Sequence, residues 1–498
     1  MGFDASVISG VIRFIEPEFG LSKLELGWAV SSLTITATLA MMLVGPLSDR
    51  IGRRKVLTYA AALYGLSAIL SALAPNFVFL VVARMIGGFG VGASLIIAPM
   101  YIAETSPPAM RGRLVSFNQL NIVVGISAAF FTNYLILKWG QSNSEWSKTL
   151  LLGEYQWRWM LGLETLPAIF YFIALFFVPR SPRWLIMKNL EEEALAVLSK
   201  SVGKEMAVSN ITEINNSIQE DATKPKRKWS DLFKPSLKQV LLIGIVIGIL
   251  QQITGINSVF FYAPMIFEQS GIGTDAAFTR AIYVGLANLL FTVVAIAMID
   301  KIGRKPLLIF GFIGIAASMF VLTWGFSQAT YLFDSYNPKN EIFLEQNNDL
   351  NNLDKTIFHS KKEFLNAIES YLPKEYIEEN RSVLISNSLN LNSMLILWAI
   401  LSFVASFAVS IGPVMWVLFS ELFPNTIRAV AISFVGFINS MVSFFVQLVF
   451  PWELEFIGNA GTFFIYGIFA VFGLVFVLAK VPETKGKSLE ELEKHLIK

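Results

Sequence analysis

Apolar residues in this chain come in blocks, not stripes. Nearly unbroken runs occupy about 26–46, 56–74, 78–102, 113–137, 158–178, 237–268, 276–299, 306–326, 393–420, 427–450 and 460–480, each bounded by charge, Pro or Gly. About 20 apolar residues in a helix cross the hydrocarbon core of a bilayer. Backbone in lipid must satisfy its own hydrogen bonds, so eleven membrane-spanning helices are predicted. The opening stretch, "MGFDASVISGVIRFI", is a twelfth candidate. It is too short to cross alone: either the true start lies upstream or the first helix is truncated. A cleaved signal peptide does not fit, because the stretch lacks a basic start and carries Asp4 and Arg13.

Two polar segments interrupt the pattern. Residues 181–236 predict amphipathic helices, with Ser181-Pro182 as a start signal. Residues 327–392 carry six Lys/Arg against ten Asp/Glu and predict a solvated external insert with one or two short helices. Lys and Arg otherwise crowd one side of the predicted membrane, in "DRIGRRK", "MRGR", "RSPRWLIMK", "KPKRK", "DKIGRK" and the C-terminal tail. That bias makes their side cytosolic. Both termini are expected there, in a plasma (inner) membrane protein.

Composition sharpens this picture. Of 498 residues 54% are hydrophobic and only 15% charged, and the mean hydropathy is +0.58. Soluble domains carry roughly 25% charge. A net charge of +2 implies no nucleic-acid partner. The chain has no cysteine, so thiolate metal sites and disulfides are excluded. Its two histidines, His359 and His495, lie in polar segments.

Charged phrases occur twice and in the same order. "DRIGRRK" at 49–55 is echoed by "DKIGRKP" at 300–306, "ETSPPAMR" at 104–111 by "ELFPNTIR" at 421–428, and "VPRSPR" at 178–183 by "VPETKG" at 481–486. Asp49 to Glu104 is 55 residues and Asp300 to Glu421 is 121; the excess of 66 is the length of the insert 327–392. Two six-helix halves in one orientation follow, with a ligand site between them at mid-membrane. The units read as 1–180, a linker 181–236, 237–480 with its insert, and a tail 481–498. Asp49, Arg53, Arg54, Glu104, Arg111, Asp300, Arg304, Glu421 and Arg428 would form a charged cytosolic gate at helix ends. A plain positive-inside flank is the simpler alternative.

These phrases, with "GFDASVISG", "RMIGGFGVG", "QQITGIN" and "GPVMWVLFSELFP", resemble the sugar porter family of the major facilitator superfamily. The match extends over nearly the whole chain apart from 327–392. It implies an all-α, twelve-helix transporter working by alternating access. The aspartate in the first phrase is similar to that of proton-coupled symporters such as those for D-xylose.

Sugar hydroxyls donate and accept, and so do side-chain amides, without a charge to bury. The candidate amides are Gln119, Gln251, Gln252, Asn257, Asn288 and Asn439. The resemblance assigns hydroxyl contacts to the first five, and Trp416 would stack on the sugar ring. Gln251, Gln252 and Asn257 fall at about 0°, 100° and 240° around an ideal helix. One of them leaves the common face unless the helix breaks, and Gly255 offers a break. Interhelical glue is the structural alternative for any amide in lipid. The family often carries tryptophan where Ser440 follows Asn439, which leaves pentose against hexose open.

Asp4, Arg84 and Glu164 are ionisable residues at membrane depth, where such groups are costly and usually functional. Burial favours the neutral form of a carboxylate and a neighbouring Arg the charged one, so a pair that separates can load and release a proton. The matching Asp–Arg pair in related symporters implies that role for Asp4 and Arg84. Arg180 also departs from the family's usual Pro-Glu-Ser-Pro-Arg and reverses a charge at the gate.

"GGFGVGAS" at 87–94 lacks a nucleotide-loop spacing and follows no strand; Gly88 and Gly92 instead form a small face for close helix packing. No metal cluster or nucleophile–base arrangement stands in the spans. No catalytic residue, metal or cofactor is expected. The expected partners are a monosaccharide, a proton and the bilayer, with the chain a monomer. A facilitative uniporter and a non-transporting sugar sensor are the other readings.

Overall fold

Glycine, capping side chains and proline place the helix ends. The structure is a computed structural model that describes residues 1–107, 110–223, 229–336, 340–424, 427–486 and 491. The first half contains α1 (Gly2–Phe19), α2 (Lys23–Ile51), α3 (Arg53–Ala72), α4 (Phe77–Thr105), α5 (Arg111–Gly140), the short α6 (Glu145–Thr149), and a sixth span split into α7 (Gln156–Gly162) and α8 (Thr165–Phe177). Gly20 ends α1 in the left-handed region. Ser22 and Glu25 close a capping box on α2, and Asn76 caps α4.

The linker holds α9 (Pro182–Met187), α10 (Glu191–Val202) and α11 (Lys204–Thr223) around a small core of Leu185, Ile186 and Ala194. The second half has a broken seventh span, α12 (Lys238–Ile253) and α13 (Ile256–Glu268), then α14 (Thr274–Ile302) and α15 (Arg304–Ser327). After the insert it continues as a split tenth span, α19 (Ser393–Val409) and α20 (Ile411–Leu422), then α21 (Arg428–Phe456) and α22 (Gly458–Lys480). Eleven segments among the described residues are long and apolar enough to cross a membrane. The twelfth, α1, runs 18 residues and packs on α5, α7 and α13. Large apolar side chains such as Phe170 and Phe310 stand bare on the outside, as a lipid-facing surface requires.

The repeated charged phrases lie at one end of the bundle, called the motif end, and the insert lies at the other, the insert end. The insert goes beyond the one or two short helices that its composition predicts. It contains α16 (Glu341–Gln346), α17 (Lys361–Glu369) and α18 (Lys374–Ser388). A three-stranded antiparallel sheet, ordered β2 (Ile357–Phe358), β1 (Thr330–Leu332), β3 (Leu389–Asn390), ties its two ends together. Phe333, Phe343, Phe364, Ile368 and Leu384 give it a core separate from that of the bundle.

Small residues set the closest helix approaches. A Cβ on Gly88 would stand 2.0 Å from Thr36 Oγ1, and one on Gly92 2.1 Å from the Ala37 carbonyl. Both contacts lie on α2, so the glycine run in α4 is a packing face. Across the halves, α2 meets α21, α5 meets α14, and α1 meets α13. A Cβ on Gly27 would lie 1.9 Å from the Leu448 carbonyl, so α2 and α21 touch backbone to backbone. The polar cross-half contacts lie at mid-helix or toward the insert end. Ser127 Oγ donates to the Gly285 carbonyl at 2.9 Å, Lys138 pairs with Asp275 at 2.6 Å, and Arg13 pairs with Glu268. The insert end is therefore shut.

Candidate functional site

Gly255 has φ 89° and ends the first part of the seventh span. A Cβ there would meet the Tyr466 ring at 2.4 Å, so only glycine fits. The break turns Asn257 back toward the amides that precede it. Asn257 Nδ2 donates to Gln252 Oε1 at 2.8 Å. Gln252 Nε2 donates to Gln251 Oε1 at 3.1 Å and to Asn439 Oδ1 at 3.2 Å. Asn439 Nδ2 donates to Gln251 Oε1 and to the Gly248 carbonyl, both at 2.8 Å. Gln251 Nε2 reaches the Gly412 carbonyl, beside the break between α19 and α20, at 3.3 Å.

Four of the seven sequence-predicted substrate residues thus form one network. The other three stand apart from it. Asn288 is buried on α14. Gln119 is exposed on α5. Trp416 is 48% exposed on α20, edge-on to Phe419 and facing Gly436. Gln119 and Trp416 lie toward the motif end, where the interior is accessible. The sequence reading missed Ser443, which accepts from Asn257 Nδ2 at 2.7 Å, and Gln447, which donates to Ser443 at 2.8 Å. Their signal was the spacing 439, 443, 447 in α21, which places three polar side chains on one face.

Asp4, Arg84 and Glu164 are all nearly inaccessible, at 1%, 2% and 4%. Arg84 Nε donates to the Ala29 carbonyl at 3.0 Å. Arg84 and Glu164 lie beside Asp4, yet no ion pair within 4.0 Å joins Asp4 to Arg84 among the described residues. Asp4 Oδ2 is buried, and the Asp4 and Glu164 carboxyls lie within hydrogen-bonding reach of each other. Two carboxyls buried together are costly in a purely structural role.

Residues 1–337 and 381–496 match the family described as "Sugar (and other) transporter". The chain belongs to this sugar transporter family. Two similar relatives are the arabinose-proton symporter of Bacillus subtilis, 34% identical over all of this chain and 92% of its own length, and the D-xylose-proton symporter of Escherichia coli K12, 33% identical over 99% and 92%. An inward-open structure of the E. coli xylose transporter XylE superposes with a TM-score of 0.74 at 32% identity, covering 99% of this chain and 96% of that one. The twelve-helix major facilitator fold follows. The family match omits residues 338–380, which lie inside the insert.

In this sugar transporter the repeated charged phrases build two corners at the motif end. Arg53, 4% exposed, pairs with Asp49 at 2.7 Å and with Glu104 at 3.0 Å, and Ser181 Oγ donates to the same Glu104 carboxylate. In the second half Arg304 pairs with Glu421 at 2.8 Å, and Thr484 Oγ1 donates to Glu421 at 2.6 Å. Gly52 at φ 99° and Gly303 at φ 105° start the helices that carry the two arginines. Arg54 donates to the Phe176 carbonyl, and Arg428 to the Phe423 carbonyl. Each of these bonds stays within one half. The side chains of Arg111 and Asp300 lie outside the described residues.

Proposed function

We propose that this chain imports a monosaccharide, a pentose or hexose, together with a proton by alternating access. The observation that carries the sugar reading is the amide network of Gln251, Gln252, Asn257 and Asn439 at the Gly255 break. These amides bond largely to one another. A sugar hydroxyl can replace any one of them as donor and acceptor, so amide–amide bonds are exchanged for amide–hydroxyl bonds of similar strength. A transport site needs that balance, because it must release what it binds. Gln119, Asn288 and Trp416 would close on the sugar as the halves move. Sugar–proton symport by similar proteins, named for arabinose and D-xylose, supports the same reading.

Asp4, buried beside Glu164 and Arg84, is the proton carrier in this account. Arg84 and Glu164, of the same half, set the charge around it. A proton driven by the membrane potential brings roughly 2.3 kcal/mol per 100 mV, enough to concentrate sugar more than tenfold. The motif end faces the cytosol, both termini lie there, and the protein acts as a monomer in the plasma membrane. Within this account the six-helix halves are 1–180 and 237–480, joined by 181–236.

Uptake of labelled xylose, arabinose, glucose, galactose and myo-inositol in transporter-null cells tests this directly. One sugar should accumulate at least tenfold, and a protonophore should collapse the gradient. Asp4→Asn should keep exchange and lose accumulation. Saturable uptake that never exceeds equilibrium and ignores the protonophore would make the chain a uniporter and remove the role given to Asp4.

A further inference from the structure

The polar face of α21 does not stop at the sugar amides. One turn beyond Ser443, Gln447 is 1% exposed, and its Oε1 accepts from Thr34 Oγ1 of α2 at 2.8 Å. Its Nε2 donates to Ser443 Oγ at 2.8 Å, which also receives Asn257 Nδ2 at 2.7 Å. Asn257 in turn donates to Gln252. The Tyr262 hydroxyl donates to the Gln447 carbonyl at 2.8 Å and fixes this turn of α21 against α13. An unbroken series of hydrogen bonds therefore runs from the first half, at Thr34, to Asn257 and Gln252 in the second. Its crossing point is a single bond, beside the place where Gly27 and Leu448 touch.

We propose that Gln447 is a positioning residue that couples closure of the external side to the sugar site, with Thr34 as its partner in the first half. The inference rests on the reading of Asn257 as a sugar contact. The Thr34–Gln447 bond exists only while α2 and α21 are together at the insert end. When the halves part there, Gln447 loses a partner in a buried position, and the loss falls one side chain away from the group that orients Asn257. Asn257 Oδ1 takes no hydrogen bond among the described residues, so it is free to receive a hydroxyl while its nitrogen is held. Sugar that engages Asn257 with the external side shut thus favours the state in which Thr34 holds Gln447.

The native chain has no cysteine, so a single introduced thiol reports without background. Val30 lies one turn outward of Thr34 on the same helix face and is 2% exposed. In full-length Val30→Cys protein without sugar, a membrane-impermeant maleimide added from outside reads how often the external side opens. Thr34→Val removes the hydroxyl and keeps the shape. It should raise the labelling rate about three- to tenfold, the weight of one net hydrogen bond. Thr34→Ser should label as the parent does. Thr34→Ala is a second hydroxyl-free chain, should Thr34→Val fold poorly. Gln447→Leu should raise the KM for sugar about three- to tenfold with kcat within twofold, whereas a packing defect would lower kcat or folded yield. Equal labelling of the Thr34→Val and Thr34→Ser proteins, with sugar transported normally, overturns the proposal alone. Faster Thr34→Val labelling in a protein that transports no sugar overturns the transport reading, and with it the link from Gln447 to sugar.

Discussion

The two motif-end corners are built alike up to one residue. Each has a glycine at positive φ, an arginine one position later, a glutamate from a helix packed beside it, and a hydroxyl that completes the glutamate. Superposing Ser181 on Thr484 sets Arg180 where the second half has Glu483. The Glu483 carboxylate accepts from the backbone N–H groups of Arg304 and Lys305, both at 3.1 Å, and so covers the positive start of α15. Among the described residues no side chain accepts from the N–H groups of Arg53 or Arg54. Arg180 points instead to Glu193 on the linker, at 3.3 Å, and the Trp184 ring covers Gly52. One corner is closed by a carboxylate and the other by an aromatic ring from the linker. The lesson is that duplicated phrases keep their arginine–glutamate pair while the rest of the corner is free to diverge.

The largest effect is expected where the comparison rests on a buried charge. Arg53→Leu strands Glu104 and Asp49 together, and breaking a buried pair costs on the order of 3 kcal/mol. Arg304→Leu should cost less, because Arg304 and Glu421 are more exposed, at 12% and 20%. Thermal unfolding of the two variants in detergent compares them; an equal loss would mean that the corners carry equal weight. Next comes Glu483→Ala, which uncovers the first turn of α15 at about 1–2 kcal/mol. It should speed amide exchange at Arg304 and Lys305 without changing that at Arg53. The smallest effect is Arg180→Glu. It places a carboxylate at the start of α3, worth about 0.5 kcal/mol, and gives up only an exposed pair. Slower amide exchange at Arg53 and Arg54 would show that the two corners become equivalent. No change there would mean that Trp184 already closes the first corner fully.

What the residues reveal in advance follows from the range of the interaction. The eleven blocks were legible because each span is apolar along its whole length. The duplicated phrases were legible because they are local words in a fixed order. The angle conflict among Gln251, Gln252 and Asn257 announced the break at Gly255, although the partner that demands glycine, Tyr466, lies 211 positions away. Pairings across the bundle left no such trace. Thr34 and Gln447 are 413 positions apart, and although each stands among other polar residues of its own helix, nothing local to either pairs it with the other. The sheet in the insert escaped for a related reason. Its strands are two or three residues long, too short for an alternating pattern, and they pair only once the intervening helices bring them together.

Tyr466 adds a consequence for how this chain can change over generations. Its ring lies against Gly255, and its hydroxyl donates to Glu453 at 2.9 Å. A one-carbon addition at 255 would therefore push on α22, and α22 could yield only by giving up a bond to α21. A smaller ring at 466 would not release the position either, because φ 89° at 255 is left-handed backbone that a side chain strains. The bare lipid-facing positions carry no such pairing and can drift one at a time. Variation between closely similar copies of this protein should accumulate on its outer surface and stall at this one glycine.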